Sequence, residues 1–268
     1  MLVSDYRHEV ALDEPFRPLS APAPVEKLDA LTALALRMLD VPVPSDVDAR
    51  RRLLRAVLTV RSPAPLDPEL MAVLDALLGG ERQQRLVGLP ASVVVWRGDI
   101  TRLMVDAIVN AANDALLGCF QPMHPCVDNA IHSAAGPRLR EDCHRIMVLQ
   151  GTPEATGTAK ITRGYHLPAS YVLHTVGPIV RGPLLLSHES SLASCYRSCL
   201  DLAASVPEIR TLAFCGVSTG IFGFPKRAAA RIAVAEVRSW LGRNPGRFDR
   251  VVFVAFSAQD EVIYRELL

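Results

Sequence analysis

The chain lacks what would place it in a membrane or outside the cell. No stretch of its 268 residues is both long and apolar enough to span a bilayer, and Met1–Glu9 has none of the apolar run of a signal peptide. Neither sign of charge dominates. With 29 basic and 28 acidic side chains the net charge is +1, which gives no electrostatic reason to expect nucleic acid or an anionic membrane as a partner. No Gly-x-x-x-x-Gly-Lys-Ser/Thr and no Gly-x-Gly-x-x-Gly occurs, which counts against an ATPase of the P-loop type and against a nicotinamide dehydrogenase. Internal repeats and low-complexity tracts are also missing. Six cysteines in a chain of this size do not make a secreted disulfide scaffold, so thiols in a reducing cytoplasm are the expectation. Cys195, Cys199 and Cys215 read as small core residues on apolar faces. The chain is expected to be monomeric.

Half of the residues are hydrophobic, enough for one sizeable domain with an appendage. Residues 1–24 are rich in proline and without periodicity, and read as an extended lead-in. Three helical candidates follow: Val25–Leu39, Ser45–Val60 with Ser45 as cap, and Pro68–Leu78, opened by Asp67-Pro68 and closed by Gly79-Gly80. Residues 1–89 are therefore assigned to a small helical N-terminal domain with no visible site chemistry. Residues 90–268 alternate strands with helices. Strands are expected at Ser92–Trp96, Val105–Val109, Thr158–Arg163, Tyr171–Val176, Thr211–Cys215 and Val251–Phe256. Helices are expected at Cys126–Ala134, Pro137–Leu149, Ser187–Ala204, Pro225–Leu241 and Ala258–Leu267. This alternation predicts an α/β fold, a three-layer sandwich around a mixed, largely parallel sheet. In such sheets ligands bind outside the carboxyl ends of the strands.

The segment Gly118–Gly136 carries the most chemistry. Cys119, His124 and Cys126 fall within eight residues, on a loop braced by Pro122 and Pro125. Two thiolates and an imidazole suit a borderline-soft ion such as Zn²⁺, and three ligands leave one tetrahedral position open, as in catalytic zinc sites. The spacing is not that of a zinc finger, and on spacing alone two cysteines and a histidine sharing a loop by chance is the alternative. Asp128, two residues on, is either a residue favoured by the helix dipole or a carboxylate that positions or deprotonates a water. His132 reads as a packed histidine. Asn110 and Asn113, just past a strand, have amides suited to ribose hydroxyls, although asparagine is also a common turn residue. Gly216–Pro225 is a glycine-punctuated strand-to-helix loop. Gly220 and Gly223 let its amides turn inward, and Ser218 and Thr219 add hydroxyls, so it can hold a diphosphate or simply make a tight turn.

Five blocks in one order resemble the macrodomain family: Gly98-Asp-Ile-Thr101, Asp106–Asn113, Ala130–Gly136, Tyr171–Gly177 and Ser218–Pro225. The resemblance covers about Ala91 to the C-terminus and implies an α/β/α macrodomain binding ADP-ribose above the sheet. Ordinary macrodomains have a glycine run where this chain has Gly118–Cys126. That departure looks like the zinc-dependent macrodomains, protein-ADP-ribose hydrolases with an N-terminal helical extension. By this resemblance Cys119, His124 and Cys126 are the zinc ligands and His132 is not a fourth. Asp99 and the backbone of Ile100 meet the adenine end, and Phe256 stacks on the base. Asn113, with Asn110 nearby, holds the distal ribose. Ser218, Thr219, Gly220, Ile221 and Phe222 wrap the diphosphate. Asp128 and Asn113 are the catalytic candidates, and the substrate is a mono-ADP-ribosylated protein cleaved at a glycosidic or ester bond. The alternatives are a non-catalytic module that reads ADP-ribose, and a structural zinc whose shell is closed by Cys143 or His144.

Overall fold

The computed structural model describes residues 1–91 and 94–268. Six strands form one sheet: β1 (Val95–Arg97), β2 (Ala107–Ala112), β3 (Ala159–Arg163), β4 (Tyr171–Val176), β5 (Thr211–Phe214) and β6 (Arg250–Ala255). Their order is β1-β6-β5-β2-β4-β3, parallel throughout except that β3 runs antiparallel to β4. The helices of this region are α4 (Val127–Ala135), α5 (Pro137–Gln150), α6 (Leu186–Ala204), α7 (Lys226–Arg243) and α8 (Ala258–Leu267). α6 packs on α7 and α7 on α8, whereas α4 packs on α5 and on β2. Helices cover both faces, so the central strands are continuous apolar runs rather than alternating ones; Ile108, Val109, Val172, Leu173 and Leu212 are all fully buried. The expected three-layer α/β/α sandwich with a mixed, largely parallel sheet is the fold observed.

Local differences from the sequence reading have physical causes. Ser92 and Val93 of the first expected strand lie outside the described residues, and β1 begins at Val95. The second strand starts and ends later than expected, which puts Asn110 inside β2 rather than beyond it. Of the N-terminal helices α1 (Leu28–Met38), α2 (Val47–Val60) and α3 (Pro68–Gln83), the second is capped not by Ser45 but by Asp46, whose carboxylate accepts the Ala49 N–H at 2.7 Å. α3 does not stop at Gly79-Gly80. Those glycines let Pro22 and Ala23 lie against the helix: a methyl at Gly80 would stand 2.4 Å from the Ala23 carbonyl oxygen. Their use is close approach, not termination.

Residues 1–24 are not extended throughout, as expected, but turn through a short 3-10 helix at Val3–Asp5 and pack on the sheet. Tyr6, Val10 and Leu12 are buried in the core of the sheet, and the Tyr6 hydroxyl accepts the Ile161 N–H of edge strand β3 at 2.9 Å. α1–α3 have a smaller core of their own around Leu36, Leu54, Leu74 and Leu77.

Asp75 of α3 fastens this helical unit to the rest. It is 1% exposed and accepts hydrogen bonds from His166 Nε2 (2.9 Å), Arg138 Nη2 (3.0 Å) and the Leu19 N–H (2.6 Å). Burial by itself would raise its carboxyl, but the bonds from His166 and Arg138 outweigh burial and hold it below the usual carboxylate range. A lowered folded-state value means that its stabilisation is present above the ordinary carboxylate pKa and is lost as the pH falls through the lowered one. Asp75→Ala, which leaves Arg138 and His166 facing a buried void, is expected to cost roughly 3 kcal/mol or more in urea denaturation at neutral pH. The difference from wild type should shrink in acid; a gap that stays constant down to pH 3 would contradict the assignment.

Candidate functional site

The parallel strands deliver their outgoing loops to one edge of the sheet, where registers such as Ala112 with Val176 and Arg97 with Ala255 align the strand ends. β2 leads through Asn113 into the Gly118–Cys126 loop and then α4. Asn113 shapes that turn, its amide donating to the Gly118 carbonyl at 3.0 Å and its Oδ1 accepting the Ala115 N–H at 3.1 Å. Gly118 has φ +79°, and a methyl there would meet the His132 ring at 2.9 Å, so the chain passes flat against that imidazole.

Past Gly118 the loop brings Cys119, His124 and Cys126 together, their donor atoms all within 4.8 Å of one another. Bonds of about 2.3 Å to sulfur and 2.05 Å to nitrogen at a tetrahedral angle would set those atoms about 3.5 Å apart. Cys119 Sγ stands 3.5 Å from His124 Nδ1, the spacing a zinc ion would need for that pair, and Cys126 Sγ lies within 4.8 Å of both. Cys126 is also the N-cap of α4, its Sγ accepting the Asn129 N–H at 3.3 Å. Burial, with a smaller push from the adjacent Cys119 thiol, raises Cys126 to about 11. Cys143 does not join this set. It lies fully buried in a second group with His132 and His174, which removes it as the residue that closes a structural zinc shell.

Asp128 is buried in the first turn of α4, above β2. Asn110 Nδ2 donates to its Oδ1 at 2.8 Å and also faces His174 Nδ1 at 3.1 Å, while His174 Nε2 lies 2.9 Å from Thr162 Oγ1. With Nδ1 accepting, the His174 proton belongs on Nε2 and is donated to Thr162. Burial pushes His174 down to about 3, so this ring is neutral. Burial pushes the Asp128 carboxyl up to about 6, against the opposing pull of Asn110. Asn110 is 0% exposed, and this corrects the expectation of a sugar-facing amide: it works beneath the site, as the donor that orients Asp128.

The loop after β5 turns through Ser218 at φ +62° and Gly223 at φ +72°. Ser218 Oγ is buried without a partner among the described residues, and the Thr219 hydroxyl donates to the Gly216 carbonyl at 3.0 Å. Gly220 is open to solvent on its Cβ side, Ile221 is 75% exposed, and Phe222 is partly covered. At the β1 end Asp99 caps the Ile100–Arg102 turn, accepts the Thr101 N–H at 3.0 Å and takes Arg85 Nη2 at 2.9 Å; Ile100 is buried. Phe256, directly after β6, is 84% exposed and so not a core aromatic.

Comparison with known proteins gives this arrangement a family. The model described as "Macro domain" matches residues 109–233. A Treponema medium protein named "Protein-ADP-ribose hydrolase" is 46% identical over 239 residues, covering 85% of this chain and 91% of its own. The chain belongs to the macro domain family. A Staphylococcus aureus (strain MRSA252) protein with the same name is 44% identical over 232 residues, covering 84% of this chain and 86% of its own. Among solved structures, a Trypanosoma brucei macrodomain in complex with ADP-ribose has a TM-score of 0.61 at 33% identity, covering 79% of this chain and 94% of its own. An Oceanobacillus iheyensis macrodomain variant with ADPR has a TM-score of 0.58 at 39% identity, covering 65% and 89%.

Seen as a macro domain, the chain has one loop that the reading of strand ends passed over. Gly177–Val180 leaves β4, Val180 N–H donates to the Phe222 carbonyl at 2.7 Å, and a methyl at Gly177 would stand 2.0 Å from Ser218 Oγ. The available signal was Gly177-Pro178 directly after an apolar strand. At the start of the Gly118–Cys126 loop, Gly118→Ala combines a positive φ with contact against His132 and is expected to lower stability by more than about 1 kcal/mol. Thermal denaturation checks this; an unchanged midpoint would show that the imidazole simply moves aside.

Proposed function

We propose that this chain is a zinc-dependent hydrolase that removes ADP-ribose from mono-ADP-ribosylated protein side chains, cleaving the glycosidic or ester bond at the distal ribose. The observation that carries the reading is the Cys119/His124/Cys126 set, its donor atoms within 4.8 Å of one another, on the loop that runs straight into the helix bearing Asp128. Relatives at 46% and 44% identity that carry the name protein-ADP-ribose hydrolase support the reaction class. The solved macrodomains with ADP-ribose or ADPR support the ligand.

Each part of the cleft then has a task. The exposed Phe256 ring offers a face on which adenine can stack, while Asp99 and the Ile100 backbone follow β1 at the end where Arg97 pairs with Ala255. The Ser218–Phe222 loop wraps the diphosphate, with the unpartnered Ser218 hydroxyl available as a donor. Binding energy from these remote groups holds the distal ribose where orientation counts. Asn113 fixes the turn into the metal loop and sets one wall of that ribose site. Cys119, His124 and Cys126 would hold a zinc ion, and the chemistry it would supply there is Lewis-acid polarisation. Asp128, with its carboxyl raised to about 6, accepts or orients a proton near neutrality, held in line by Asn110.

The test is release of ADP-ribose from a protein modified on a defined acidic, serine or arginine side chain, with zinc measured in the same preparation. Cys119→Ser and Cys126→Ser are expected to lose zinc and at least about 100-fold in turnover while keeping the sheet folded. A chelator should do the same to wild type, reversibly. Stripped protein that works as fast as loaded protein would sink the proposal, and ADP-ribose binding without release from any of the three substrates would favour a reader.

A further inference from the structure

The helical unit meets the metal loop through one arginine of α2. Arg55 Nε donates to Ser133 Oγ at 3.1 Å and its Nη2 to Asn129 Oδ1 at 3.3 Å, contacts that join residues 74 and 78 positions apart. Ser133 Oγ also donates to Asn129 Oδ1, at 3.1 Å. Two donors on the same oxygen fix which way the Asn129 amide faces, and its Nδ2 is left pointing at the Gln121 carbonyl, 2.8 Å away. That carbonyl sits between the proposed ligands and also accepts the His124 N–H at 3.3 Å. The backbone N–H of the same Asn129 donates to Cys126 Sγ. Asn129 is 1% exposed, so these protein contacts set its orientation.

We infer that Arg55 is a positioning residue for the metal site, acting through Asn129 on Gln121 and Cys126, and that the helical unit thereby completes that site. The inference rests on the zinc reading given above. A second contact runs the same way. Arg140 Nη1 donates to the carbonyls of Leu58, Thr59 and Arg61 at the end of α2, and its guanidinium lies 4.5 Å from the Phe120 ring centroid, next to Cys119. A cavity between α2 and α4 is walled by Arg55, Asn129, His132 and Cys119, so the helix and the loop share one space. Partners that orient ligands in this way govern metal affinity in general. The planar fork of Arg55 reaches two acceptors at once, which a lysine ammonium in its place cannot reproduce.

Zinc affinity, measured by competition with a chromophoric chelator, and the visible spectrum of the cobalt-substituted full-length protein test this without any turnover assay. Arg55→Met is expected to bind zinc roughly 10–100-fold more weakly than wild type and to alter the cobalt bands. Arg55→Lys should fail to restore full affinity. Arg138→Met, which loosens the Asp75 contact and removes no hydrogen bond to Asn129, Gln121 or Cys126, should lower the melting temperature but bind zinc like wild type. Arg55→Met binding zinc within twofold of wild type would overturn the inference, as would an equal loss in Arg138→Met. If Arg55→Met does not fold, Ser133→Ala answers instead: a several-fold loss of affinity supports the inference and wild-type affinity overturns it. The underlying zinc reading fails separately, if wild type binds zinc no more tightly than Cys119→Ser.

Discussion

One sulfur atom holds the site together. Cys126 caps α4 by accepting the Asn129 N–H, in the position where a serine or aspartate oxygen usually stands, and it closes the loop that also carries Cys119 and His124. The helix N-terminus favours negative charge there, as a thiolate requires, while burial and Cys119 work against it. A cation held between the two sulfurs would reverse that balance. The start of α4, the position of Asp128 and the course of the loop are therefore parts of one electrostatic arrangement.

Beneath it the sheet supplies rigidity. Asp128, Asn110, His174 and Thr162 form a chain of buried polar groups through an otherwise apolar layer, each contact between 2.8 and 3.1 Å. Where water is excluded such a chain must be nearly complete or it destabilises the fold. With the Asn110 amide donating to Asp128 and to His174 Nδ1, the His174 proton is set on Nε2, and Asn110 Oδ1 is left buried without a partner among the described residues. The carboxylate is thus aimed by side chains that never reach the cleft.

How legible each part was depended on how far apart its residues lie in sequence. β4 and α8 were read to the residue, because apolar runs and caps are local signals. Cys119, His124 and Cys126 could be singled out because they sit within eight positions of one another. Asn110 was misread because a shift of two or three residues in a strand end exchanges a loop amide for a buried one. Gly79-Gly80 has the composition of a helix stop, and only the passage of Pro22 and Ala23 explains why α3 continues. Arg55 gave no signal at all. It looks like one more solvated arginine on α2 until Asn129 and Ser133 are seen beside it.

The Tyr6 hydroxyl has a bearing on how this protein can be handled. It covers a backbone N–H on β3, the strand at the open border of the sheet, with Val10 and Leu12 buried behind it. A version trimmed to the sheet and its flanking helices would bare that border and the apolar strip under it. Uncovered strand margins recruit one another, so such a minimal fragment would tend to self-associate and precipitate even with every residue of the cleft intact.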